Sequence, residues 1–296
     1  MGLLQGVSHI VYEDSNMYED RLFVDLKSDC NKCFGLCCVA LYFSASEGFP
    51  SDKEAGKPCS NLQKDFSCSV HKNLQEKGLK GCTSYECFGA GQKVAQTTFK
   101  GLDWQKDIES AQQMFDVFPV MRQLHEMLWY LTEALLIKIE NNIKNKIEHL
   151  INETEELTYL NAIPIKNLEI DIHRDKVNSL LKKVSELVCV KNSGDQRKTL
   201  KYKRTISGRL DLIGKDLRRI DLTGENLAGA LLIAADLRGN NLTGTNLIGA
   251  DLRDVDIRGA NLTESLFITQ SQINNAKGDS NTRLPIRLER PRDWCK

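Results

Sequence analysis

Eight of the ten cysteines lie between Cys30 and Cys87, arranged Cys30-x2-Cys33-x3-Cys37-Cys38 and then Cys59, Cys68, Cys82 and Cys87, with His71 three residues after Cys68. Thiolate sulfur is soft and selects zinc or iron over magnesium or calcium, and two cysteines separated by two residues can face one ion from a tight turn. Eight sulfurs and an imidazole can fill two four-coordinate sites, or hold one iron–sulfur cluster and leave thiols spare; spacing alone does not pair them. The opening MGLLQGVSHIVYEDSN has neither a basic start nor a long apolar run, so a secretory signal and its oxidising compartment are not expected. Metal is therefore preferred to disulfides for this cluster. Cys189 and Cys295 stand apart and read as ordinary thiols.

The elements that must position these groups differ along the chain. From Leu212 to Phe267 every fifth residue is large and apolar: Leu212, Leu217, Leu222, Leu227, Leu232, Leu237, Leu242, Leu247, Leu252, Ile257, Leu262 and Phe267. A helix would rotate successive members 140° apart, and a flat strand would alternate them between faces, because five is odd. All twelve share one interior only if the chain bends after every five residues and winds as a solenoid. Asp or Asn precedes the central residue in ten of the twelve units, and Gly follows it by two in seven, as corners require. Lys215 and Glu225 fall where small inward residues are expected, which predicts a distorted first coil, and Leu231 and Leu266 interrupt the Asp/Asn column.

This segment resembles the pentapeptide-repeat family, over residues 210–270. The resemblance implies a right-handed, four-sided β-helix with one pentapeptide per face, so that twelve units make three coils, about 15 Å high at the usual ladder spacing. The run CNKCFGLCC resembles the cysteine-cluster proteins described as zinc- or iron-chelating domains. The wider segment, with its GLCC, PCSNL, CSVH and CFGAGQ landmarks, is similar to one that recurs ahead of pentapeptide coils in bacterial proteins. Some pentapeptide proteins of bacilli carry labels of resistance to nucleoside-analogue antibiotics, and others protect topoisomerases by mimicking DNA.

Between the two ends, Met121, Leu124, Leu128, Leu131, Leu135, Ile139, Ile143, Ile147 and Leu150 recur at spacings of three and four, predicting one long helix with a charged opposite face. Pro164 ends or interrupts that pattern, and a second stripe from Leu168 to about Cys189 predicts a partner helix, the two pairing as a hairpin. An intramolecular core is preferred to a coiled-coil dimer, with a homodimer left open. The linker at 191–209 carries seven basic residues against the single acid Asp195, and reads as a solvated connection rather than a nucleic-acid site. The tail, with Leu284, Ile286, Leu288 and Trp294, reads as a cap over the coil's open edge.

The expected architecture is thus α+β in several parts: a cysteine-rich metal-binding domain at 1–100, an α-helical hairpin at 101–190, the linker, a quadrilateral β-helix at 210–270 and a cap at 271–296. Forty basic residues balance forty acidic ones, and no stretch approaches the roughly 20 apolar residues that span a bilayer. Met1-Gly2 starts a lipidation motif that Gly6 breaks. His125-Glu126 lacks its second histidine, since Trp129 stands there, and Gly89-Ala90-Gly91 meets Val94 in place of a third small residue. A non-enzymatic, cytoplasmic binding protein with zinc or iron at Cys30, Cys33, Cys37, Cys38, Cys59, Cys68, His71, Cys82 and Cys87 is the preferred expectation, with a protein partner for the coil. An iron or iron–sulfur redox protein is its first alternative. A topoisomerase-protecting DNA mimic is the second, weakened by nine acids against seven bases over residues 207–270 and by only three coils.

Overall fold

The computed structural model describes residues 22–192, 204–205 and 207–295. The expectations about a leader or lipid signal, and most of the 191–209 linker, lie outside the described residues. The rest falls into two compact units, one within Asp14–Leu181 and one within Lys182–Lys296.

In the first unit, short helices α1 (Leu36–Ala40), α2 (Lys80–Ser84) and α3 (Ala90–Gln92) are set among turns, followed by the longer α4 (Ile108–Leu136) and α5 (Asn141–Thr158), the short α6 (Ala162–Lys166), and α7 (Ile170–Asn192), which begins in this unit and runs past its boundary at Leu181. Asp107 starts α4 by accepting from the amides of Glu109 and Ser110, two of the donors a helix start leaves orphaned. Every residue from Met127 to Ala134 is buried, Glu133 included, so the expected charged face is absent there and α4 is the central helix of the unit.

The single long helix expected across Met121 to Leu150 is two helices. The backbone turns extended at Ile137, whose side chain is buried, and α5 packs on α4. The apolar spacing runs unbroken through the turn because Ile143, Ile147 and Leu150 bury on the same core after the chain bends. Pro164, expected to end a helix, sits in the first turn of α6, where a missing amide costs nothing. Buried His173 of α7 bonds Thr154 Oγ1 at 2.8 Å and lies 3.5 Å from Glu153, tying α7 to α5.

The second unit is the coil. None of its twelve central residues is more than 3% exposed, so all share one interior. Parallel bridges join Asp211 to Leu231, Asp216 to Asp236, Asn226 to Asn246, Leu231 to Asp251, Asp236 to Asp256, Asn241 to Asn261 and Asn246 to Leu266, each spanning 20 residues and therefore four pentapeptides per coil. Continuous strands, expected from the β-helix, are absent among the described residues; two of every five residues turn a corner, leaving one bridged residue per face. At two of the positions where the corner glycine is missing, Ala234 and Asp254 adopt the same left-handed φ, 56° and 58°, whereas Arg219 and Glu264 do not.

The small inward positions are buried from Ala230 onward, and the polar ones among them are satisfied: Asn240 donates to the carbonyls of Leu217 and Ile220, and Thr245 to that of Leu222. Lys215 is exposed and Glu225 only half-buried, so the first coil is irregular at those positions. Leu266 is fully buried, Leu231 partly. Beyond Phe267, α8 (Gln270–Asn275) lays Gln272 on the carbonyls of Leu247 and Ala250, and Lys277 and Arg283 bridge Asp256 and Asn261 along the open edge. Trp294 packs against Gly278, where any Cβ would collide with its ring.

Candidate metal centre

Cys30, Cys33, Cys37, Cys38, Cys59, Cys68, His71, Cys82 and Cys87 all line one cavity of about 750 Å³. Cys37 and Cys38 reach it from α1 and Cys82 from α2. Cys59 and Cys68 lie at the base of a loop closed by the antiparallel bridge between Leu62 and Cys68. Phe43, Phe49, Tyr85 and Phe118 complete the wall, so the thiols face a partly apolar space. His71 is exposed, with its Nε2 3.9 Å from Cys30 Sγ.

Two of the cysteines sit in copies of one local device. Cys33-Phe34-Gly35 and Cys87-Phe88-Gly89 share a sequence, and both place Phe at positive φ (53° and 51°) followed by Gly at positive φ (64° and 78°). Phenylalanine is disfavoured in that region by about 1 kcal/mol or more, so each copy stores strain that its surroundings must hold. The Phe34 carbonyl accepts from Trp104 Nε1 at 2.8 Å, and the Phe88 carbonyl pairs with His125 Nδ1 at 2.7 Å. In a trans peptide the next amide points opposite to the carbonyl, so anchoring the oxygen aims the N–H of Gly35 at the Cys33 sulfur and that of Gly89 at the Cys87 sulfur. Asn61 N donates to Cys59 Sγ at 3.5 Å, and the amides of Val70 and His71 serve Cys68 in the same way. Amides aimed at sulfur stabilise a thiolate more than a thiol.

Within the cavity the thiols interact strongly. Hydrogen bonding from Cys30 lowers the pKa of Cys33 and raises that of Cys30, and Cys37 acts likewise on Cys38, their sulfurs 3.9 Å apart. Burial pushes Cys82 up to about 12 and raises Cys68 and Cys87, as a water-poor space does to any group that must become an anion. Lys53, whose ammonium donates to the carbonyls of Val39 and Leu41, is buried beside them; burial lowers its pKa while Cys38 and Cys59 pull the other way.

The donor set fits a soft metal. A tetrahedral zinc with sulfur at about 2.3 Å puts its sulfurs about 3.8 Å apart, the separation found between Cys37 and Cys38. None of the ten cysteines is joined in a disulfide. Among the described residues, however, no three Cys, His, Asp or Glu side chains converge as a ready-made metal group; the sulfurs surround the space without closing on a point. Sequence reasoning found the cysteines and missed their supports. The duplicated Cys-Phe-Gly was a readable signal, whereas Lys53, Trp104 and His125 carried none.

A solenoid of stacked pentapeptides joined to a cysteine-lined unit makes the chain a pentapeptide-repeat protein. The model for pentapeptide repeats matches eight copies over residues 230–267, beginning where the inward small positions become uniformly buried. The chain is 51% identical over 275 residues, 93% of its length, to YybG of Bacillus subtilis (strain 168), an uncharacterized protein, and covers 97% of it; it belongs to the family that includes YybG. No solved structure matches the chain.

Proposed function

We propose that this chain is a metal-stabilised binding protein in which the thiolates of the first unit hold zinc or iron and the coil offers a docking face to a protein partner. The observation that carries the metal is the arrival of eight cysteines from separate segments on one walled cavity. A bound ion would supply fixed thiolate coordination, and with it cross-links between loops whose apolar packing includes the small cluster of Phe43, Phe49 and Leu79. The chain's own residues supply the rest: aimed amides stabilise thiolates, Lys53 offsets negative charge, and the aromatic wall limits water.

One observation favours a second reading. Eight sulfurs exceed the need of a single four-coordinate ion, which leaves room for an iron–sulfur redox centre. DNA mimicry is disfavoured by charge placement, because Asp216, Asp236, Asp251 and Asp256 are each paired with the arginine two residues on and present no row of free anions. A link to nucleoside-analogue resistance rests on the family resemblance alone. No helix among the described residues is long and apolar enough to cross a membrane.

The test is purification without oxygen, followed by metal analysis and visible absorption. Colourless protein with stoichiometric zinc supports the binding reading, brown protein with iron and sulfide supports the redox reading, and protein that takes up neither metal refutes both.

A further inference from the structure

We propose that Cys30 and Cys33 form a thiol–disulfide exchange site, at which a low-molecular-weight disulfide is reduced and the two cysteines close reversibly on each other. This goes beyond the metal reading above and does not depend on it.

Access, spacing and anchoring select this pair. Of the eight cysteines between residues 30 and 87 only Cys30 is exposed, so its sulfur is the one that a reagent in solution meets, while Cys33 is buried behind it. Cys30–Lys32 form a 3-10 turn. In such a turn residues three apart eclipse, and a rise of about 2.0 Å per residue sets their Cα atoms about 6 Å apart, inside the range of about 4.4–6.8 Å that a disulfide spans. Cys33 Sγ accordingly folds back to 3.6 Å from the Cys30 carbonyl oxygen. The turn is held from both sides: the Asp29 carboxylate accepts from Asn31 N at 3.1 Å and pairs with Lys32 at 3.1 Å, and Asp29 N donates to Gln92 Oε1 at 2.7 Å. Gly91 backs the buried partner, since a Cβ there would lie 2.8 Å from Cys33 Cβ.

The rival pair fails on the same criteria. The sulfurs of Cys37 and Cys38 lie 3.9 Å apart, but neither residue is exposed. They are also adjacent, and the Cα separation of about 3.8 Å across one trans peptide falls short of the disulfide range, so joining them would distort α1.

The chemistry balances as two exchanges. The Cys30 sulfur bonds to one sulfur of the incoming disulfide, whose S–S bond breaks, and the other half departs as a thiol carrying the proton that Cys30 gives up. The Cys33 sulfur then attacks the Cys30 sulfur of the mixed disulfide, and the second thiol departs with the Cys33 proton. Two protein thiols are oxidised and one small disulfide is reduced to two thiols. Because Cys33 is already positioned over the turn, the second step is intramolecular and outruns attack by thiols in solution.

The experiment treats the full-length, reduced protein, as purified, with glutathione disulfide under anaerobic conditions. Samples are quenched by alkylation at intervals and their disulfides mapped by peptide mass spectrometry, with metal content measured alongside. The expected first product within residues 30–87 is the Cys30–Cys33 disulfide, with two thiols lost per chain and both regained on adding dithiothreitol. Cys33→Ser is expected to stop at a glutathione adduct on Cys30, and Cys30→Ser to leave Cys33 reduced. The wild-type map decides the pair by itself, whether or not either variant folds. A different first pair, Cys37–Cys38 included, an adduct on Cys30 that Cys33 does not displace, or no reaction at either residue would overturn the proposal. Absence of metal from the purified protein refutes the metal reading and leaves the thiol map standing.

Discussion

The two units solve the problem of holding a chain in place by opposite means. The coil repeats one small solution: twelve central apolar residues, each worth about 1.5–3 kcal/mol on burial, with an Asp or Asn before ten of them and most of their amides bonded to a neighbouring coil. Between residues 30 and 90 of the cysteine-rich segment almost nothing repeats. Its short helices and turns close on a cavity, and the strained Cys-Phe-Gly turns are held by single long-range bonds from Trp104 and His125. Redundancy makes the coil tolerant at its rims and costly to cut at its centre, whereas the cysteine segment depends on a few specific links.

The comparison breaks most sharply at the coil's interior. Leu237→Ala is expected to cost about 2–5 kcal/mol in urea unfolding of the second unit, because neighbouring coils prevent collapse onto the cavity, while metal content stays unchanged. Next in size is an acid effect confined to the first unit. Burial pushes His125 down to about 4 from 6.5, so the folded protein keeps it neutral where the unfolded chain takes up a proton. The stability this confers is complete above pH 6.5 and falls as pH drops towards 4, by about 3 kcal/mol. Urea titrations across that range should show the slope, and His125→Gln should flatten it; an unchanged slope removes the assignment.

Smaller effects sharpen the contrast. Trp104→Phe keeps the ring and removes the donor to the Phe34 carbonyl, with an expected loss of about 1–3 kcal/mol and weaker metal retention. In the coil the matching substitution runs the other way. Ala234→Gly relieves a left-handed alanine and should raise stability by a few tenths to about 1 kcal/mol, measured as a rise in Tm.

The sequence made these regions unequally legible for the same physical reason. A strict five-residue stride constrains geometry by itself, so the shared interior of a solenoid could be read from Leu212 to Phe267 before any contact was known, while its four sides followed from the family resemblance. The absence of continuous strands was less visible, since it depends on how little extended chain remains between corners. The stripe from Met121 to Leu150 misled because its spacing continues through the turn at Ile137, where no Gly or Pro announces a break. Cysteine chemistry was legible by residue type, but which sulfurs are neighbours depends on loops such as the one closed by Leu62 and Cys68. Phe34 and Phe88 at positive φ lie beyond propensity altogether, because propensity argues against them.

Hydrogen–deuterium exchange on the full chain, before and after metal is stripped by a chelator under reducing conditions, tests most directly whether metal holds one unit and repetition the other. Amides across residues 30–90 should lose protection on stripping, while those across 211–267 stay protected. Equal protection of residues 30–90 in both states, or loss in the coil alone, would contradict that division.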